Sequence, residues 1–180
     1  MSWYYFLYQK VFAFIDVLLV IGMATIFSIA GFVVYQQISE HRQADQEISN
    51  LKLISKGVKK TFTHQSNYEG LTTGLLNQAH VFPHSMNANN YSDTQEITHS
   101  EGGLVEVKPY GKHHQYFSIV YSDVSPVFCI RLVQSEGQND TQVKVGDILV
   151  KDFANAHFDP ALMLGQCNAA ERTKIQFIHK

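Results

Sequence analysis

The 180-residue chain is short of several features that would mark an enzyme or a nucleic-acid binder. Positive charge is not in excess: 14 Lys and Arg against 16 Asp and Glu leave a net charge of −2. A nucleic-acid partner normally asks for a basic surface, so none is implied. Proline is scarce, and none precedes Pro83, so no proline interrupts a helix over residues 1–82. Cysteine is limited to Cys129 and Cys167, which have no CxxC spacing and argue against a zinc framework. There is no GxSxG, no phosphate-binding loop and no HExxH, and hence no catalytic residue, metal ligand or cofactor site to nominate. Charge is nearly missing from residues 1–35, where Lys10 and Asp16 are alone and cancel. That last absence excludes a simple cytosolic enzyme.

What fills the gap is a long apolar run. Val11 to Tyr35 reads VFAFIDVLLVIGMATIFSIAGFVVY, 25 residues with one charge. As a helix it exceeds the roughly 30 Å hydrocarbon core of a bilayer. It is too long for the 7–15-residue core of a cleaved secretory signal, at about twice that length. Lys10 and the amino terminus precede it, whereas Glu40, Arg42, Asp45 and Glu47 follow. The positive-inside rule then puts the N-terminus in the cytoplasm and the bulk of the chain outside. Asp16, a carboxylate inside the run, either sits near the headgroups or pairs with a positive group on another subunit.

Beyond Tyr35 the chain turns polar while helical spacing persists. Ala44, Ile48, Leu51, Ile54 and Val58 recur at steps of three and four and form one face of an amphipathic helix. Gln43, Asp45, Glu47, Lys52 and Lys59 are expected on the opposite face. Lys56, Lys59 and Lys60 favour an end near residue 60, where the helix dipole prefers cations. The expected segments are a short leader-like 1–10, an apolar helical half 11–35, an amphipathic helical half 36–62, and a globular domain 63–180. Leu71, Leu75 and Leu76 suit a short helix before Pro83, and 87–103 reads as an exposed polar loop. Strands are expected at Leu104–Val107, Tyr116–Tyr121, Asp147–Val150 and Lys174–Ile178. The fold class is α+β: a long N-terminal hydrophobic helix packed on a small antiparallel sheet domain.

Both cysteines fall in the part expected outside, where such a pair usually joins; two unpaired buried thiols are the other possibility. Closing a loop of about 39 residues would contribute on the order of 4 kcal/mol. His113–His114 and His80 with His84 invite a metal reading, but Pro83 spoils the helix that would align the latter pair. Asn90-Tyr-Ser and Asn139-Asp-Thr match glycosylation sequons, a triplet common by chance.

Several of these pieces resemble a known family. Phe12–Gly22 (FAFIDVLLVIG) with its internal acid, the unbroken long helix and the C-terminal domain with its Cys pair resemble a type IV pilin. Residues 68–86 (YEGLTTGLLNQAHVFPHSM), Gly102-Gly103-Leu-Val, Val124–Leu132 with Cys129, and Cys167 with RTKIQFI resemble the type IVb group, including PilS-like pilins. There Val124–Leu132 would be a central strand and RTKIQFI the closing one. The resemblance implies a non-enzymatic structural subunit, major or minor. Such a subunit is anchored in the bacterial inner membrane with a periplasmic domain, then stacked by the assembly machinery into an extracellular pilus through its N-terminal helix. It implies that Asp16 neutralises a neighbouring subunit's amino terminus, and it aligns the processing junction with Val11 and Phe12. The family cuts after glycine, so Val11 is an atypical junction. An alternative class is a single-pass membrane-anchored periplasmic binding or sensor domain that never polymerises.

Overall fold

The computed structural model describes residues 19, 21, 23, 42–88, 92–136, 141–153 and 159–180. The chain divides into two compact units, Met1–Arg42 and Gln43–Lys180.

In the first unit Leu19, Ile21 and Met23 are helical, and each is more than half exposed. Successive helical residues turn by about 100°, so Leu19 and Ile21 point about 200° apart. The helix is therefore apolar on more than one side at this level, as a helix with apolar surroundings requires. Val11, Phe12 and Asp16 lie outside the described residues, as does the rest of the run from 11 to 35 except Leu19, Ile21 and Met23. Among the described residues no helix is long and apolar enough to cross a membrane.

The second unit opens inside helix α1, described over residues 42–61. Its expected apolar stripe is buried: Ala44, Leu51, Ile54 and Val58 are inaccessible, and Ile48 packs against them half-buried. Gln43, Asp45, Lys52 and Lys59 are exposed, as the periodicity requires. Glu47 departs from expectation and is buried. The reason is angular: three residues after Ala44 and four before Leu51, it belongs to the buried stripe. After α1 come α2 (Thr73–Gln78), a 3-10 turn (His84–Met86), β1 (Val105–Tyr110) and β2 (Tyr116–Val124). These are followed by α3 (Pro126–Glu136), β3 (Thr141–Val145), β4 (Ile148–Lys151), α4 (Pro160–Cys167) and β5 (Thr173–His179).

The five strands form one antiparallel sheet in the order β1-β2-β5-β3-β4. Its register lines up one apolar face: Val107 opposite Ile119, Ile119 opposite Phe177, and Phe177 opposite Val143. These residues share a single core cluster with the α1 stripe, so α1 is part of the domain's core and not an arm attached to it. The α+β expectation holds.

Three local expectations do not. Pro126–Leu132 is helical, not a central strand, because Ser125 and Pro126 supply helix-starting chemistry. The Ser125 hydroxyl accepts the Phe128 N–H, and Phe128, Cys129, Leu132 and Val133 then recur at helical spacing and are buried. Strand β3 and helix α4 fall where the sequence reading placed no element. The loop 87–103 is less exposed than its polarity suggests, since Ala88, Ile97 and His99 are buried.

Candidate functional site

The chemistry concentrated around 97–103 is structural. This hairpin-like loop closes through His99 N–H to the Gly103 carbonyl (2.9 Å) and Gly102 N–H to the His99 carbonyl (2.8 Å). Gly103 is required by proximity: a Cβ there would overlap the Ser122 carbonyl oxygen and the His99 ring.

From the loop, polar contacts reach four elements. Toward α1, the Ser100 N–H donates to Glu47 Oε1 at 2.9 Å. Burial raises the Glu47 carboxyl above the usual carboxylate range, while hydrogen bonds from Asn50 and the Ser100 N–H partly hold it down. Toward β2, His99 Nε2 lies 2.8 Å from the Ser122 carbonyl, which only accepts, so Nε2 carries the proton. Nδ1 is then the acceptor for the Glu101 N–H at 3.2 Å, and the neutral ring is satisfied at both nitrogens. The ring also stacks on Phe128 of α3, with centroids 5.6 Å apart. Toward the start of α3, Glu101 accepts from the Ser125 hydroxyl (2.6 Å) and the Ser125 N–H (2.8 Å). Toward β5, Arg172 donates to Glu101 (3.4 Å) and to the Asp123 carbonyl (2.9 Å). Tyr121 lies beneath, fully buried, its phenol pushed up by burial and then by Glu47 and Glu136. One short loop therefore fixes α1 against the sheet and the second half of the domain.

A covalent tie completes that half. Cys129 in α3 and Cys167 at the end of α4 form a disulfide with Cα atoms 5.7 Å apart, and both residues are buried. Asp159 starts α4 by accepting from the Ala161 and Leu162 N–H groups, with Pro160 next.

The surface around this frame carries unpartnered apolar side chains. Val127 (α3), Leu164 (α4), Ile148 and Leu149 (β4) are exposed on elements that pack against one another. Leu53 of α1 borders a second apolar region, a groove of about 590 Å³ that includes Val81, Phe82 and Pro83. Scattered exposed apolar residues are ordinary, whereas several on neighbouring elements mark interaction surfaces.

Of the site residues singled out from sequence, Cys129 and Cys167 are among the described residues, and the structure brings them together. Asp16, Val11 and Phe12 lie outside the described residues, as do Asn90 and Asn139. Among the described residues no three His, Cys, Asp or Glu side chains gather where a metal ion could sit. The seam at Glu47, His99 and Glu101 was missed because its partners are far apart in sequence. Only the helical spacing of Glu47 signalled it.

Comparison with known proteins agrees with this architecture. The family described as PilS N terminal matches residues 41–180. No curated protein matches. Among solved structures, the type IVb pilin from Salmonella typhi is 14% identical with a TM-score of 0.55, covering 74% of this chain and 97% of its own. TcpA, a type IV pilin from Vibrio cholerae El Tor biotype, is 13% identical with a TM-score of 0.51, covering 77% and 99% respectively. At such identities the likeness is one of fold. The family match, which takes in α1, the whole sheet and both cysteines, decides membership: this chain belongs to the PilS family and is a type IVb pilin, a structural protein and not an enzyme.

Proposed function

We propose that this pilin is held in the bacterial inner membrane by residues 11–35, with Gln43–Lys180 on the periplasmic side. The assembly machinery then stacks it with sister pilins into a filament whose interior is made of N-terminal helices. The observation that carries this reading is the double life of the N-terminal helical sequence. The stripe of Ala44, Leu51, Ile54 and Val58 is sealed into the domain core, while Leu19, Ile21 and Met23 are each more than half exposed. Leaving such surface in water would cost about 25 cal/mol per Å², so lipid or sister helices are the natural cover. In this reading Asp16 is the buried carboxylate that meets a neighbouring subunit's positive group, and Val11–Phe12 is an atypical processing junction.

The test is Asp16→Ala in the full chain, compared with wild type by inner-membrane fractionation and by the subunit content of sheared filaments. The variant is expected in the membrane at normal levels, with its domain folded, and absent from filaments. Normal filaments would remove the role given to Asp16. A wild-type chain that stays in the membrane and never enters a filament would favour a membrane-anchored binding or sensor domain instead. Intact-mass measurement of the extracted protein reads the junction directly.

A further inference from the structure

On the flank of the domain opposite in chemistry to its apolar patches lies a groove of about 420 Å³. Its lining is Lys52, Ser55, Lys56 and Lys59 of α1, Glu136 at the end of α3, Thr141 of β3 and His179 of β5. Positions 52, 56 and 59 share one helical face by their spacing of four and three. None of the three lysines makes an ion pair with a described residue. They outnumber the one carboxylate in the lining, Glu136.

The floor supplies neutral donors as well. His179 Nδ1 lies 3.4 Å from the Ser55 hydroxyl and 3.4 Å from the Thr141 hydroxyl. A ring nitrogen has either one lone pair or one proton. If Nδ1 accepts, it takes the proton of one hydroxyl and leaves the other free. If it donates, both hydroxyl protons are free. Either tautomer therefore leaves at least one O–H with no acceptor among the described residues, beside three ammonium groups.

We propose that this groove binds a compact oxyanion of the phosphate or sulfate class, gripped by Lys52, Lys56 and Lys59 and by the spare Ser55 or Thr141 hydroxyl. Charge-assisted hydrogen bonds from several donors to one small anion are the strong kind, and a tetrahedral oxyanion can accept all of them at once. Every residue in the site comes from one subunit.

The experiment is a titration of the full chain in non-ionic detergent with inorganic phosphate, and separately with sulfate, at ionic strength held constant with chloride. Amide and histidine resonances are followed by NMR. A saturable response centred on Ser55, Thr141 and His179 is expected, absent when chloride alone is varied. Lys56→Gln should weaken phosphate binding about tenfold, the usual cost of losing one charge-assisted contact. Ser55→Ala should weaken it severalfold. Lys60→Gln, on the same helix but outside the lining, should leave it unchanged. A response that chloride reproduces, or an equal loss in Lys60→Gln and Lys56→Gln, would show only diffuse attraction to a basic helix and overturn the proposal. If a variant does not fold, the wild-type titration still decides.

Discussion

His179 provides the sharpest quantitative test of how the domain is packed. The ring lies in β5, stacked on Phe117 with centroids 5.1 Å apart, and is almost wholly buried. Burial, and after it the ammonium groups of Lys59 (α1) and Lys151 (β4), lowers its pKa from 6.5 to about 4. Lys52 and Lys56 line the same groove from α1, and Glu136 from α3 carries the one opposing charge there. The folded pKa is below the unfolded one, so between about pH 6.5 and 4 the unfolded chain binds a proton that the native one refuses. Stability is then full above pH 6.5 and falls as the pH drops toward 4. A gap of about 2.5 units corresponds to about 3 kcal/mol. Glu47 acts in the opposite sense: its raised pKa adds stability as the pH falls toward its unfolded value. Wild type must therefore be compared with His179→Gln, so that the Glu47 contribution cancels. The measurement is urea unfolding of the full chain in detergent from pH 4 to 7, with a direct NMR titration of the ring. The wild type should lose about 3 kcal/mol more than the variant across that interval. Loss of packing in the variant lowers its whole curve without changing the slope, so the two effects separate. A ring that titrates near 6.5, or equal slopes, would refute the reasoning.

Two further outcomes follow from the frame. Cys129→Ser should reduce stability by about 4 kcal/mol, the value for opening a loop of 38-residue separation, and reductant should lower the melting temperature of wild type but not of the variant. An unchanged melting temperature with and without reductant would contradict it. Gly103→Ala forces a methyl group into the Ser122 carbonyl and should cost about 2 kcal/mol, seen as a lower urea midpoint with an unchanged slope.

Much of this fold was legible because its signals are local and periodic. The α1 stripe, the short helix before Pro83 and four of the five strands all announce themselves at spacings of 3.6 or 2. Thr141–Val145 also alternates, with Thr141, Val143 and Val145 buried. It passed unnoticed because Gln142 and Lys144 make the segment look polar. The start of α4 was likewise written in Asp159-Pro160, an N-cap followed by proline, but the helix is only eight residues long. The error at Pro126–Leu132 has another cause. The stretch is apolar enough for either a buried strand or a buried helix, and the Ser-Pro start signal should have decided it. The seam was illegible on principle: the Glu47–Ser100 bond spans 53 residues and Glu101–Arg172 spans 71. No window read along the chain brings those pairs together.

That seam also explains why a carboxylate is kept where leucine would pack. A buried ionisable group with one direct backbone partner adds little net stability, and breaking such a contact costs more than making it contributes. What it supplies is orientation. An apolar stripe alone allows a helix to slide or rotate by a residue with modest loss, because hydrophobic contact is not directional. The hydrogen bond from Ser100 to Glu47 admits one rotation of α1, and His99 and Glu101 carry that setting on to Ser122, Ser125 and Arg172. The contacts of His99 and Glu101 join this loop to β2, to the start of α3 and to the residue before β5, on either side of the segment that the disulfide closes. On the proposed assembly, in which the helix meets sister helices and the domain meets sister domains, both faces must be set in one register. A polar seam that tolerates a single arrangement achieves this, and a wholly apolar one would not.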